Sequence, residues 1–277
     1  IANGFLMPNE FEQEFFYEME TAFCPRCGMF QLVDQPSPEL MFHDNYAYHA
    51  KTSQAMCQHF STFADWLIKT YLNESSFVVE IGCNDGIMLE RFAEKEVKHL
   101  GVDPSSNVAK IAEGNGLNMM VDFFNQTSAK KIVEQYGKAD AFTGGNVMCH
   151  IGDMKSVIEG VDILLSEKGV VVFEDPYLGA MIEKTTYDQI YDEHVFVFSL
   201  HSVSYLFSLY GFELIDALPQ KTHGGSMRYV LARKGQREVS STVSDLLNKE
   251  KQQGLLNPKT FDSFRDSCEQ SKQRLRT

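Results

Sequence analysis

Residues 77–86, "FVVEIGCNDG", run from an apolar strand into a turn carrying two glycines, an amide and a carboxylate. The β-branched pair Val78 and Val79 and the bounding glycine predict a buried strand. Helix-forming "IMLERFAEK" (87–95) follows, and the pattern repeats. Strand "HLGVDP" (99–104) leads to helix "SNVAKIAEGNG" (106–116), and strand "NMMVDFF" (118–124) to helix "SAKKIVEQYG" (128–137). Strand "ADAFTGGNVM" (139–148) leads to helix "MKSVIEGVDILLSEKG" (154–169), and strand "VVVFEDP" (170–176) closes the series. Such alternation predicts an α/β fold, a doubly wound, mostly parallel Rossmann-like sheet. The later strands "FELIDALP" (212–219) and "GSMRYVLARKG" (225–235) predict an antiparallel addition at one sheet edge.

Before this series, Met56, Phe60, Phe63, Leu67 and Tyr71 recur at helical spacing in "SQAMCQHFSTFADWLIKTYL" (53–72). The first 45 residues are irregular, with a CxxC knuckle, "FCPRCGMFQL", and a proline-punctuated loop, "DQPSPEL". From about residue 236 the chain turns polar and helical. The expected organisation is therefore a small module over 1–45, the sheet domain over 46–235, and a helical stretch over 236–277.

The net charge of −13 argues against a nucleic-acid partner, which needs clustered Lys and Arg. No run of about 18 apolar residues suggests a membrane span, and "IANGFLMPNE" does not read as a signal peptide. The absent initiator Met and a C-terminus inside a helical pattern suggest a piece cut at both ends. The six cysteines form no extracellular disulfide framework, so a reducing cytoplasm is expected. Nothing fixes the oligomeric state, and a monomer is compatible with the sequence.

In an open α/β sheet, ligands sit beyond the carboxyl ends of the strands. The turn Gly82-Cys83-Asn84-Asp85-Gly86, with Glu80 before it, occupies that place, and its glycines allow close backbone approach. It is not GxGxxG, and it offers carboxylates where a pyrophosphate wants bare amides. A ligand with a cationic centre fits better, and S-adenosylmethionine is such a ligand. Asp103, about 20 residues further on, stands where a carboxylate accepts ribose hydroxyls. Pro104 and Asn107 follow it, Asp122 falls near an adenine amino group with Phe123 near its ring, and Asn146 ends another strand. A dinucleotide is the weaker alternative.

"YDQIYDEHVFVFSL" places Tyr191, Glu193 and His194 after another strand end. A His beside a carboxylate suits general-base work, and a Tyr hydroxyl can donate to a developing oxyanion. Those parts serve to remove a proton α to a carbonyl. "GGNVMCHIGD" with His150, and "KTHGGSMR" with His223, Gly225 and Arg228, add further candidate turns.

The segments "VVEIGCNDGIML", "HLGVDPSSNVA", "NVMCHI", "GVVVFEDPYL", "YDQIYDEHVFVFSL" and "HGGSMRYVLAR" together resemble the S-adenosylmethionine-dependent sugar C-methyltransferases. The resemblance runs along the whole chain and is nearest to the branch that makes the C-3-methylated sugar tetronitrose. It implies a nucleotide-linked 4-keto-deoxysugar as substrate, in branched deoxysugar biosynthesis. It also implies an N-terminal four-Cys zinc module, a central methyltransferase domain and a C-terminal Rossmann-like domain. Cys24 and Cys27 match the second pair of zinc ligands; the first pair would precede Ile1, and most of the C-terminal domain lies beyond this chain. Two thiolates alone do not close a tetrahedral site.

By the same resemblance, His194 is the base for the C-3 proton, with Glu193 orienting it. Tyr191 and His150 stabilise the C-4 oxyanion. "NYAYHAKTS" supplies an active-site tyrosine, Tyr48 in preference to Tyr46, with Tyr46, His223, Gly225 and Arg228 on the substrate side. An O- or N-methyltransferase and a non-catalytic binding module on a methyltransferase fold are the competing readings.

Overall fold

A computed structural model describes residues 5–276. Strand β1 (Thr21–Phe23) and β2 (Phe30–Leu32) flank the CxxC turn, followed by α1 (Pro38–Met41) and α2 (Gln54–Tyr71). The series continues with β3 (Phe77–Ile81), α3 (Leu89–Glu94), β4 (Lys98–Val102), α4 (Ser106–Gly114), β5 (Met119–Met120), α5 (Gln126–Tyr136), β6 (Ala139–Gly145), α6 (Met154–Leu164) and β7 (Leu165–Pro176). Then come α7 (Leu178–Lys184), β8 (Phe196–Val197), α8 (Leu200–Ser208), β9 (Phe212–Gln220), β10 (Ser226–Arg233), α9 (Ser241–Gln253) and α10 (Pro258–Arg276).

The main sheet has the order β5-β4-β3-β6-β7-β10-β9. Strands β3 to β7 pair in parallel, and β10 joins β7 and β9 antiparallel, as the sequence pattern predicts. Every residue of β3 is buried because helices cover both faces. Successive side chains take opposite sides. Val79, Ile81, Phe142, Val171 and Phe173 pack toward α5, α6 and α8, while Val78, Ala141, Val170, Val172 and Val230 face α2 and α3. Caps set the helix starts: the Ser53 side chain accepts from Met56 N–H before α2, and Asn125 accepts from Thr127 and Ser128 before α5.

Two expected elements and the reading of one glycine differ. The helix expected over 154–169 ends at Leu164, and β7 starts at once with a register shift opposite Ala139–Ala141. The strand expected over 118–124 pairs only at Met119 and Met120, since β5 is an edge strand with one neighbour. The ligand-approach reading of Gly86 gives way to packing. At φ +82°, a Cβ there would lie 2.4 Å from Leu117 Cδ1.

A second sheet, β1-β2-β8, joins the knuckle to the segment after "YDEH". Phe30 pairs with Val197, Gln31 with Phe196, and Leu32 N–H donates to Val195 O at 2.9 Å. Helix α10 backs this sheet. Its Phe261 ring stacks on Phe23 at 4.0 Å, and Phe264 is buried with Phe30, Leu178, Met181 and Val197. Helix α9 supplies the buried Glu250, which accepts from Leu200 N–H (2.7 Å), His201 N–H (3.0 Å) and Tyr177 OH (3.0 Å). A carboxylate thus caps the N-terminus of α8, where backbone donors and the helix dipole favour it. Among the described residues, no helix is long and apolar enough to cross a membrane.

Candidate active site

Beyond the carboxyl ends of β3, β4 and β6 lies a cavity of about 230 Å³. Glu80, Gly82, Asn84, Asp103, Pro104, Asp122, Phe123, Asn146, His150, Tyr191, Glu193, His194 and His223 line it, as do both Tyr46 and Tyr48. Among the described residues that line it there is no Lys or Arg.

One half of the cavity is acidic. Glu80 is buried, with Oε2 lacking a hydrogen-bond partner, and burial followed by the charges of Asp103 and Asp85 pushes its pKa well up. Burial also raises Asp103, offset in part by two backbone donors. Asn84 N–H reaches Asp103 Oδ2 and Ser105 N–H reaches Oδ1, each at 2.9 Å. Each oxygen keeps further accepting capacity. Asn146, at φ 55°, leaves its Oδ1 buried and unpaired. Two carboxyl groups whose ionisation burial disfavours are relieved by a bound cation, so this half fits a ligand with a positive centre. Gly82 is needed here. At φ +56°, a Cβ would stand 2.4 Å from Val147 Cγ2.

The other half carries the imidazoles. His194 Nδ1 lies 2.8 Å from Gln189 O, and a carbonyl only accepts, so Nδ1 holds the proton. Nε2 is then the acceptor, 3.1 Å from Tyr191 OH. Burial lowers the His194 pKa to about 4 and takes His150 well below its usual value. Both rings are neutral near pH 7, 5.2 Å apart. Burial, and then the Glu193 charge, keeps the Tyr191 and Tyr46 hydroxyls protonated.

Several expected roles change. Tyr46, not Tyr48, is the buried tyrosine, and its hydroxyl donates to Glu193 Oε2 at 3.2 Å, whereas Tyr48 is 46% exposed. Arg228 lies outside the cavity. It is buried, donates to Glu174 Oε2 at 2.9 and 3.1 Å, and stacks 3.7 Å above the Phe63 ring. The substrate-side reading of Arg228 is therefore corrected to a core ion pair. Gly225 also lies off the cavity, at φ +140°, where a Cβ would meet Ala180 Cβ at 2.6 Å.

Asn84, Asp85 and Asn107, expected to touch a cofactor, fasten residues 46–51 as a strap beside the cavity, which Asn84 lines. Ala50 N–H donates to Asn84 Oδ1, Lys51 N–H to Asp85 Oδ2, and Asn107 Nδ2 to Tyr46 O, at 2.9–3.0 Å. Asp85 and Asn107 do not line the cavity, although Asp85 Oδ1 and Asn107 Oδ1 are buried without partners. Sequence reasoning missed Phe42, which stacks on His150 at 5.7 Å, and the hub formed by Glu174. His59 Nε2 and Thr222 Oγ1 meet Glu174 Oε1 at 2.6 and 3.0 Å, next to His223. A lone Phe in a loop carries no periodic signal. A His 115 residues from its partner carries none either.

At the knuckle, Cys24 follows β1 directly and Cys27 sits in the turn, with Gly28 N–H closing on Cys24 O at 2.8 Å. Hydrogen bonds from the Cys27 backbone, then its side chain, lower the Cys24 thiol, while burial raises Cys27. The pair fits two corners of a tetrahedral zinc site. Among the described residues, the only group of three or more potential metal ligands is Cys149, His150 and His194.

A family model described as "Methyltransferase domain" matches residues 48–217, more than half of the sequence. The chain belongs to that family. A model described as "C-methyltransferase C-terminal domain" matches residues 221–277, and "Putative zinc binding domain" matches residues 1–42. The C-methyltransferase NovU of Streptomyces niveus is 29% identical over 265 residues, which are 95% of this chain and 63% of NovU. The chain thus spans less than two thirds of this relative. Among solved structures, magnesium protoporphyrin IX methyltransferase from Synechocystis PCC 6803, with bound SAH, superposes with a TM-score of 0.50 at 15% identity. That match covers 64% of this chain and 83% of the other. The PH0226 protein of Pyrococcus horikoshii OT3 gives 0.51 at 16% identity, covering 68% and 95%. These structures share the Rossmann-like methyltransferase fold.

Proposed function

We propose that the chain is the methyl-transferring part of an S-adenosylmethionine-dependent C-methyltransferase, acting on a nucleotide-linked 4-keto-deoxysugar at C-3. The observation that carries this reading is the fixed tautomer of His194, whose unprotonated Nε2 stands beside Tyr191 in a cavity with an acidic cofactor half. The resemblance to NovU and the C-methyltransferase family model supports carbon as the acceptor.

S-adenosylmethionine supplies, when bound, an electrophilic methyl group on a sulfonium. Glu80 and Asp103 hold its positive and hydroxyl-bearing parts, with Asp122, Phe123 and Asn146 about the adenine end. His194 Nε2 takes the C-3 proton, and the Nδ1–H···O=C bond to Gln189 stabilises the imidazolium that forms. Tyr191 OH turns from Nε2 to the C-4 oxygen and stabilises the oxyanion, with neutral His150 beside it. Glu193, adjacent to His194 in the chain, orients it and accepts from Tyr46 OH. Without a cation in the lining, the cavity suits a neutral sugar ring, and the phosphates of the nucleotide lie outside it.

The test is solvent exchange. In deuterium oxide with S-adenosylhomocysteine, the α proton of the keto-sugar should exchange in the presence of the chain and no methylation should occur. No exchange in this mixture, together with methylation of a hydroxyl or amine when S-adenosylmethionine replaces S-adenosylhomocysteine, would select the O- or N-methyltransferase reading.

Two further outcomes are expected. Asp103→Ala should weaken S-adenosylhomocysteine binding at least about tenfold, or roughly 1.4 kcal/mol, in a calorimetric titration. Undiminished affinity would remove Asp103 from the cofactor site. Because burial sets His194 to about 4, its basic form persists well below pH 6. The acid limb of kcat/KM should fall near pH 4, and an inflection at 6.5 would show an unperturbed imidazole.

A further inference from the structure

We infer that Cys149, His150 and His194 form a second metal site, which takes a thiophilic divalent cation of the Zn²⁺ type and thereby silences the base. One ligand atom from each of the three residues lies within 4.8 Å of the others. A tetrahedral shell with metal–sulfur and metal–nitrogen bonds of about 2.3 and 2.0 Å brings such atoms to about 3.5 Å. Side-chain rotation of the order of 1 Å therefore closes it.

The donors are available as well as near. His150 Nε2 is buried and has no hydrogen-bond partner. His194 presents Nε2 as a lone pair because Nδ1–H is committed to Gln189 O. Cys149 is a fully buried thiol with no part in the proposed proton transfer, and it gives up its proton to solvent as the metal–sulfur bond forms. Its neighbour Asp175 is wholly buried and in hydrogen-bonding contact with Cys149. A carboxyl behind a metal ligand is a common outer partner.

One sulfur and two nitrogens select Zn²⁺-like ions over Mg²⁺ or Ca²⁺, which prefer oxygen. Three protein ligands leave a fourth position facing the cavity, where Tyr191 OH already reaches His194. Ligation uses the Nε2 lone pair that would accept the C-3 proton, so occupancy is inhibitory. That consequence rests on the proposed role of His194. The binding does not.

The test uses Co²⁺ as a spectroscopic stand-in, added to the chelator-treated chain carrying Cys24→Ser and Cys27→Ser, which removes the knuckle thiols. One equivalent should bind with a sulfur-to-cobalt charge-transfer band and tetrahedral d–d bands. Zn²⁺ should displace it, Cys149→Ala should abolish the charge-transfer band, and His150→Asn should weaken binding at least about tenfold. A natively folded double variant with no thiolate band, or a band that survives Cys149→Ala, overturns the proposal. If loss of the knuckle thiols unfolds the chain, wild type and Cys149→Ala are compared, and the proposal then requires the loss of one bound equivalent. No sugar or methyl donor enters this assay, so its failure is distinct from a failure of the solvent-exchange test.

Discussion

His194→Asn will lower both α-proton exchange and methyl transfer by roughly 10²–10⁴-fold, the range ascribed to a positioned general base. Asparagine is the informative replacement. Its amide can stand where Nδ1 stands and still donate to Gln189 O, while nothing occupies the position of Nε2. The loop therefore keeps its anchor and loses only the proposed base. S-adenosylhomocysteine affinity should stay within about twofold, because the acidic half of the cavity is untouched. A variant that exchanges the proton within threefold of the wild-type rate would show that another group is the base, with His150 the next to test.

Glu174→Ala will produce the largest loss of stability outside the apolar core. Glu174 and Arg228 are 1% and 5% exposed and lie in register on β7 and β10. Removing the carboxylate strands a buried guanidinium, a change that costs about 3–5 kcal/mol. For a chain of this size, that lowers the melting temperature by about 6–20 °C. Replacing both members, Glu174→Gln with Arg228→Met, should recover most of the loss, since an apolar side chain can lie over Phe63 and Trp66 as the guanidinium does. Burial alone would raise the Glu174 pKa, but His59 and Arg228 bring it below its ordinary value. Its stabilisation is thus complete above about pH 4.5 and disappears as pH falls through the lower folded value. A loss under 1 kcal/mol for Glu174→Ala, measured by denaturant unfolding, would show that the pair is not the anchor described.

The parts read best from sequence are those that a single element signals. Val78, Val79, Val171 and Val172 announce strands by composition. The polar residues at or just beyond the ends of β3 to β6, Glu80, Asp103, Asp122 and Asn146, meet in one cavity because parallel strands present their carboxyl ends together. What stayed illegible depends on partners remote in sequence. Arg228 looks like a substrate ligand until Glu174, 54 residues earlier, is seen to hold it. Asn84 and Asp85 have the chemistry of ligand contacts, yet strap amides 34 residues earlier donate to Asn84 Oδ1 and Asp85 Oδ2. Tyr46 and Tyr48 sit two apart in an irregular loop, and no periodicity says which one turns inward. Only the hydrogen bond to Glu193, 147 residues away, distinguishes them.

The β1-β2-β8 sheet bears on how far this chain can be dissected. A border drawn near residue 45 looks natural in the sequence, yet it cuts through a sheet whose third strand begins two residues after His194. The peptide joining Val195 to Phe196 takes its hydrogen bond from Leu32, and Val197 packs with Phe30 and Phe264 from the two ends of the chain. An excised catalytic core would keep every residue named in the chemistry while leaving β8 an open edge. Modularity, for this chain, stops short of the active site.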